Sequence, residues 1–214
     1  MSSDLRSPPA DSRESSRLSR QLKTILFVLV VVIGIGTGYA YRQHHRYKHV
    51  AVHDPGKVYR AAWVDPEVMQ ELIARYDIRT VVNLCAPGEM GEHHWDLERE
   101  AVRNADARLL EIPMPTSFDR QGEAVQPHLD LIQNPENYPM LVHCQNGIGR
   151  TSQFLALYDM TIRHLSAEQS LAAQPKFGRE HYDPSVQEFC QHAEQTIATH
   201  PNQTAISSIP AAKR

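Results

Sequence analysis

Hydrophobic and polar positions change their pattern four times along the chain. Residues 1–23 are rich in Ser, Arg and Asp, contain Pro8-Pro9 and have almost no apolar run, which predicts a disordered tail. Thr24 to Tyr41 is a stretch of 18 residues without a charge, including the unbroken run Ile25 to Ile33. At a rise of about 1.5 Å per residue it makes about 27 Å of helix, close to the hydrocarbon thickness of a bilayer, so a transmembrane helix is expected at 24–41. Residues 42–53, with Arg42, Arg46 and Lys48, read as a basic linker, and residues 200–214 as a second disordered tail of Pro, Ser, Thr and Ala.

Between them, residues 54–199 alternate in period. Asp65-Pro66 has the form of an N-cap with Pro at the first helical position, and Val68, Met69, Leu72 and Ile73 follow at helical spacing. Ile78 to Leu84 is a β-rich run. His94 to Ala105 reads as helix, Arg108 to Ile112 as strand, Glu123 to Gln133 as helix and Met140 to His143 as a short buried strand. Helices over Thr151–His164, Ser166–Ala173 and Pro184–Ala198 complete the set. Strand and helix alternating in this way predict an α/β fold, a single domain with a largely parallel central sheet flanked by helices and preceded by one N-terminal transmembrane helix. In such sheets the site lies beyond the carboxyl ends of the strands.

The apolar segment admits two other readings. A buried core helix is disfavoured by basic residues on both flanks, whereas a cleaved signal sequence finds a small-x-small cleavage pattern in Gly38-Tyr39-Ala40. The long leader and long apolar run fit an uncleaved, single-pass anchor better. Arg6, Arg13, Arg17, Arg20 and Lys23 before the span stand against Arg42, Arg46, Lys48 and Lys57 after it, a balance that does not decide the side of the membrane.

With 22 basic and 25 acidic residues the net charge is −3, which gives no sign of a nucleic-acid partner. Three cysteines are too few for a disulfide scaffold and lack zinc-site spacing, and the twelve histidines are scattered, so no metal is expected. Cysteine chemistry must come from single residues.

One run carries that chemistry: His143-Cys144-Gln145-Asn146-Gly147-Ile148-Gly149-Arg150-Thr151, where the last buried strand gives way to a helix. Backbone amides converge at such a turn, and a helix N-terminus behind them favours an oxyanion. Gly147 and Gly149 let the chain bend tightly, so that the N–H groups from Gln145 to Arg150 can cup three phosphate oxygens. Arg150 adds a planar fork for two of them. Cys144 lies at the floor, where the amides, the helix dipole and the guanidinium favour the thiolate, a nucleophile placed beneath a phosphate.

His-Cys-x5-Arg-Thr after a buried strand resembles the signature of the cysteine-dependent protein tyrosine and dual-specificity phosphatases. Val58-Tyr59-Arg60-Ala61, the strand Arg79 to Leu84 and Glu111-Ile112-Pro113-Met114 are similar to the small dual-specificity type. The resemblance covers about residues 55–199. It implies that Cys144 forms a phosphocysteine, that Arg150 clamps the phosphate, that Thr151 steadies the thiolate when it leaves and that His143 orders the loop. It also implies a general acid on a loop upstream, with no cofactor. Asp119 is the one Asp in the loop from Met114 to Gly122, although it comes later after the strand than the family pattern has it. Its other reading is a cap of the following helix. Glu111, within a strand, and Asp130, within a helix, are poorer candidates.

Cys85, after Asn83-Leu84, resembles a cysteine of the phosphatase-and-tensin-homologue lipid phosphatases that pairs with the nucleophile. A reversible Cys85–Cys144 disulfide and plain core packing are the two readings of it, while Cys190 reads as core. The substrate is a phosphorylated protein or a phospholipid. A loop without Lys argues for the protein, and a membrane anchor for the lipid. Three further readings stay open: a catalytically silent phosphate-binding pseudophosphatase, an anchored redox sensor, and a rhodanese-type sulfurtransferase, which also cups an anion over a cysteine.

Overall fold

The computed structural model describes residues 11–115, 125–175, 177 and 184–199. The chain forms two compact units, 1–45 and 46–214. The first is the body of helix α1 (Asp11–Arg46), whose stretch Gln21–Arg42 has a mean hydropathy of 2.1 and is exposed throughout. That length and composition suffice to cross a membrane, as they also would for a signal sequence. The helix begins at Asp11, inside the stretch read from sequence as a disordered tail. Once the apolar turns are helical, each preceding residue adds one hydrogen bond without repeating the cost of nucleation, so the helix propagates backwards past the apolar run.

The second unit is a five-stranded sheet with helices on both faces. In chain order come β1 (Ala51–Asp54), β2 (Val58–Ala62), α2 (Pro66–Tyr76), β3 (Thr80–Asn83), α3 (Glu92–Asn104), β4 (Arg108–Glu111), α4 (Gln126–Gln133), β5 (Met140–Cys144), α5 (Gly149–Ile162), α6 (Ala167–Ala173) and α7 (Pro184–Thr199). The sheet order is β1-β2-β5-β3-β4, with β1 antiparallel to β2 and the other pairs parallel. The stretch read as a linker through residue 53 is therefore a linker only in part, because β1 pairs with β2 inside it and the folded unit begins at Arg46. Four residues of mixed polarity, Ala-Val-His-Asp, carry too little alternation to announce a strand.

Side chains of the buried strands alternate between two cores, as the period of two requires. Val58, Val82, Met140 and Val142 face the core under α4, α5 and α7, whereas Tyr59, Ala61, Val81 and Leu141 face the core under α2 and α3. Asp65 stands at the N-cap of α2 as expected, but its side chain makes no capping bond there, and Val68, Met69, Leu72 and Ile73 bury the helix. Ser166 closes a full capping box with Gln169 at the start of α6.

Candidate active site

The parallel register brings the carboxyl ends of β2, β5 and β3 side by side, with Ala62 opposite Cys144 and Asn83 opposite His143. The ladder continues one step further: Leu84 N–H donates to the His143 carbonyl and Trp63 N–H to the Cys144 carbonyl, both at 2.9 Å. From Cys144 the chain turns through 145–148 into α5. Gln145 and Asn146 are exposed, Ile148, Gly149 and Arg150 are half-buried, and Cys144 and Thr151 are buried. A cavity of about 250 Å³ opens above Cys144, lined also by Asn146, Gly149, Arg150, Gln153, Ser185 and Val186. Gln153 and the start of α7 were not singled out in the sequence.

Two donors converge on the sulfur. Gly147 N–H lies 3.2 Å and the Thr151 hydroxyl 3.3 Å from Cys144 Sγ. Gly147 has φ +63°, and a Cβ there would stand 2.4 Å from the Ala61 carbonyl oxygen and 2.5 Å from Ala62 N. Only glycine lets the loop press against the end of β2 and still aim its amide at the sulfur. The loop is fixed from beneath by buried Arg60, which donates to the Gly147 carbonyl at 2.7 Å, to Ser152 Oγ at 3.3 Å and to Gln174 Oε1 at 2.9 Å.

Arg150 is oriented by a carboxylate. Its Nη1 donates to Glu89 Oε2 at 2.6 Å and to the Leu84 carbonyl at 3.2 Å, and Nη2 donates to Glu89 Oε1. The hydrogen bond from Arg150 holds the Glu89 carboxyl below its ordinary range, against a smaller opposing effect of burial. The same bond keeps the guanidinium above its ordinary value, although burial opposes it. Glu89 lies 61 residues before its partner, in the loop between β3 and α3.

His143 is fully buried, with Nε2 2.8 Å from Glu98 Oε1. Asn83 Nδ2 donates to Glu98 Oε2 at 2.6 Å, and Asn83 Oδ1 accepts the Cys85 N–H at 2.8 Å. Burial raises the Glu98 carboxyl, but the charge and hydrogen bond of His143, with the Asn83 amide, outweigh it and leave the group below its ordinary range. This buried set joins the ends of β3 and β5 beneath the loop.

Cys85 and Cys190 are free, buried thiols. Burial pushes the Cys85 thiol up to about 12 despite the opposing charge of Arg150, and burial pushes Cys190 up to about 12 within the core of α7. Asp119 lies outside the described residues. Glu111 pairs with Arg99 at 2.8 Å, and Asp130 accepts from Gln126 at 2.8 Å, so neither joins the cup. Among the described residues, no group of three or more His, Cys, Asp or Glu is placed to hold a metal ion.

Residues 44–197 match a family model described as a DSP-PTPase phosphatase fused to NAD+ kinase. The chain belongs to this phosphatase family. It is a cysteine-dependent phosphatase of the dual-specificity type, an enzyme of phosphomonoester hydrolysis, which decides against the sulfurtransferase reading. No curated protein matches the chain. Among solved structures, the phosphatase is similar to Tk-PTP in its active form, at 20% identity over 68% of this chain and 96% of that one, with a TM-score of 0.54. It is also similar to PTPMT1 in complex with PI(5)P, at 16% identity over 71% and 98% of the two chains, TM-score 0.56. The core catalytic domain of the PP-IP phosphatase SIW14 from S. cerevisiae, in complex with citrate, is 16% identical over 71% and 92%, TM-score 0.51. At these identities the likeness is one of fold.

Proposed function

We propose that the phosphatase acts from a membrane-anchored position, with Cys144 as nucleophile, Arg150 as phosphate clamp and Asp119 as general acid. In the first step Cys144 Sγ attacks phosphorus and the bond to the leaving oxygen breaks, that oxygen taking its proton from the Asp119 carboxyl. In the second step water attacks the phosphocysteine, gives its proton to the Asp119 carboxylate and releases inorganic phosphate as the S–P bond breaks. The N–H groups of residues 145–150 and the Arg150 guanidinium stabilise the charge that gathers on the phosphoryl oxygens. His143 positions the loop through Glu98, and Thr151 steadies the departing thiolate through its hydroxyl. Cys85 serves as a reversible disulfide partner when oxidant reaches Cys144.

The observation that carries this reading is the convergence of the Gly147 amide and the Thr151 hydroxyl on a cysteine sulfur that shares one cavity with a guanidinium fixed by Glu89. The organisation proposed is a tail at 1–23, a single-pass span at 24–41, a phosphatase domain through 199 and a second tail at 200–214. The exposed apolar stretch Gln21–Arg42 supports the span, and with it a phospholipid rather than a phosphoprotein as substrate, since an anchor raises the effective concentration of anything in the bilayer. The solved PTPMT1 complex with PI(5)P, a similar fold, lends support to that choice.

The test is phosphate release from an aryl phosphate by the full chain in detergent micelles under reducing conditions, beside Cys144→Ser and Asp119→Asn. The reading expects no turnover from the first variant. It expects a slower rate with a weakened dependence on pH from the second. Unchanged turnover by Cys144→Ser contradicts it.

A further inference from the structure

The peptide planes of the catalytic loop are held from outside. In a planar trans peptide the C=O and the N–H point in opposite directions, so whatever fixes one loop carbonyl also aims the N–H of the next residue. Three successive carbonyls are fixed in this way. That of Gln145 accepts from Trp63 N–H at 3.3 Å, that of Asn146 from His49 Nδ1–H at 2.6 Å and that of Gly147 from Arg60 Nη2 at 2.7 Å. A ring nitrogen that faces a carbonyl oxygen carries the proton, which sets His49 as the donor. The middle plane shows both of its ends, with His49 on the Asn146 oxygen and the Gly147 N–H 3.2 Å from Cys144 Sγ. By the same geometry the N–H groups of Asn146 and Ile148 point away from Trp63 and Arg60.

His49 is itself tightly determined. Its φ is +55°, a left-handed backbone that costs any residue with a β-carbon and that persists where the surroundings impose it. The turn that carries it is tied on both sides: Lys48 O accepts from Ala62 N–H at 2.9 Å, and Val50 N–H donates to Tyr47 O at 3.2 Å. On its far side the His49 ring stacks on Phe177, with centroids 4.6 Å apart and planes at 28°. The Arg60 guanidinium lies over the same Phe177 ring at 5.1 Å. One aromatic ring thus backs the two side chains that hold consecutive carbonyls of the loop.

We infer that His49 is a positioning residue of the phosphatase reaction. By holding the Asn146 carbonyl outward, it aims the Gly147 N–H at the Cys144 sulfur. It acts through the loop backbone, and its effect is on donors that must already be in place when charge develops on sulfur and phosphoryl oxygens. The role rests on the reading of Cys144 as nucleophile given above. It makes the turn between α1 and β1 part of the active site, although His49 lies 97 positions before Asn146.

The experiment uses the full chain in detergent micelles and reads kcat/KM on an aryl phosphate together with the inhibition constant of vanadate, whose five-coordinate adduct on sulfur resembles the transition state. His49→Gly removes the ring and relieves the left-handed backbone, and His49→Ala removes the ring with that backbone cost kept. His49→Asn tolerates the same backbone and carries an N–H on the atom that corresponds to Nδ1. Both truncations lower kcat/KM about 10- to 100-fold, the scale of one hydrogen bond to a charged group, and weaken vanadate by the same factor. His49→Asn stays within about threefold of the wild type in both constants. His164→Gly is the control: His164 is exposed beyond the end of α5 with φ +56°, and its replacement leaves both constants unchanged. Wild-type constants in His49→Gly and His49→Ala, or an equal fall in His49→Asn, overturn the inference. A wild type without turnover on the aryl phosphate overturns the phosphatase reading instead, a separate result.

Discussion

Replacing Gly147 by alanine tests the loop geometry at its tightest point. The new Cβ would stand 2.4 Å from Ala61 O, 2.5 Å from Ala62 N and 2.6 Å from Ala61 C, all backbone atoms of a central strand, so no side-chain rotation relieves the overlap. The left-handed φ of +63° adds about 1–2 kcal/mol for any residue with a Cβ, and overpacking against fixed atoms adds about 1–3 kcal/mol. The sum, about 2–5 kcal/mol, is read from the midpoint of urea unfolding followed by circular dichroism of the second unit's sheet and helices. The nearest control is Gly149→Ala, where a Cβ meets nothing within 4 Å and φ is ordinary, so unfolding should shift by less than about 1 kcal/mol. Activity should fall with Gly147→Ala as well, by about 100-fold in kcat/KM, because the amide now 3.2 Å from Cys144 Sγ must move. Equal unfolding midpoints for Gly147→Ala and wild type refute the reasoning.

The other predictions concern charges and thiols around the cup. Glu89→Gln removes the carboxylate that orients Arg150, and kcat/KM on an aryl phosphate should fall about 10- to 100-fold, checked by steady-state kinetics at fixed salt. Because the Glu98 carboxyl is held below its ordinary value in the folded state, it contributes stability above the usual carboxylate range that is lost as pH falls through the lowered value. Glu98→Gln should therefore be less stable than wild type at neutral pH, and its Tm should fall less steeply on acidification, measured by scanning calorimetry from neutral to acid pH. With the Cys85 thiol up at about 12, its thiolate fraction rises tenfold per pH unit through neutrality, so a Cys85–Cys144 disulfide should form faster as pH rises after mild peroxide. Peptide mass spectrometry follows it. Sulfonic acid on Cys144 beside an untouched Cys85 at every pH would sink the pairing.

Much of the architecture was legible because it rests on local periodicity. The amphipathic repeat of α2, the β-branched core of β3 and the strand–turn–helix passage from β5 to α5 each carry their signal within one element. The hairpin of β1 and β2 was not legible, since β1 has only four residues of mixed burial and its pairing is set by a partner across the Gly56 turn. At the site, Cys144, Gly147, Arg150 and Thr151 form one contiguous motif and could be read directly. Arg60, Glu89 and Glu98 could not, for each meets the loop or its supporting strand at a sequence separation of 45 positions or more, the least being between Glu98 and His143. Lys48 shows the same principle in reverse. Its ammonium stands 3.5 Å from Asn146 Oδ1, a contact that spacing within the motif does not show because the two residues lie almost a hundred positions apart.

The central claim, that phosphoryl transfer passes through Cys144, is tested most directly by trapping. The full chain is mixed with a good phosphomonoester substrate, quenched in acid within a few turnovers, digested and analysed by mass spectrometry. The account predicts one phosphoryl group on the peptide that contains Cys144, enriched in Asp119→Asn and lost in Cys144→Ser together with all turnover. A phosphoryl group on another residue, or turnover that survives Cys144→Ser, contradicts it.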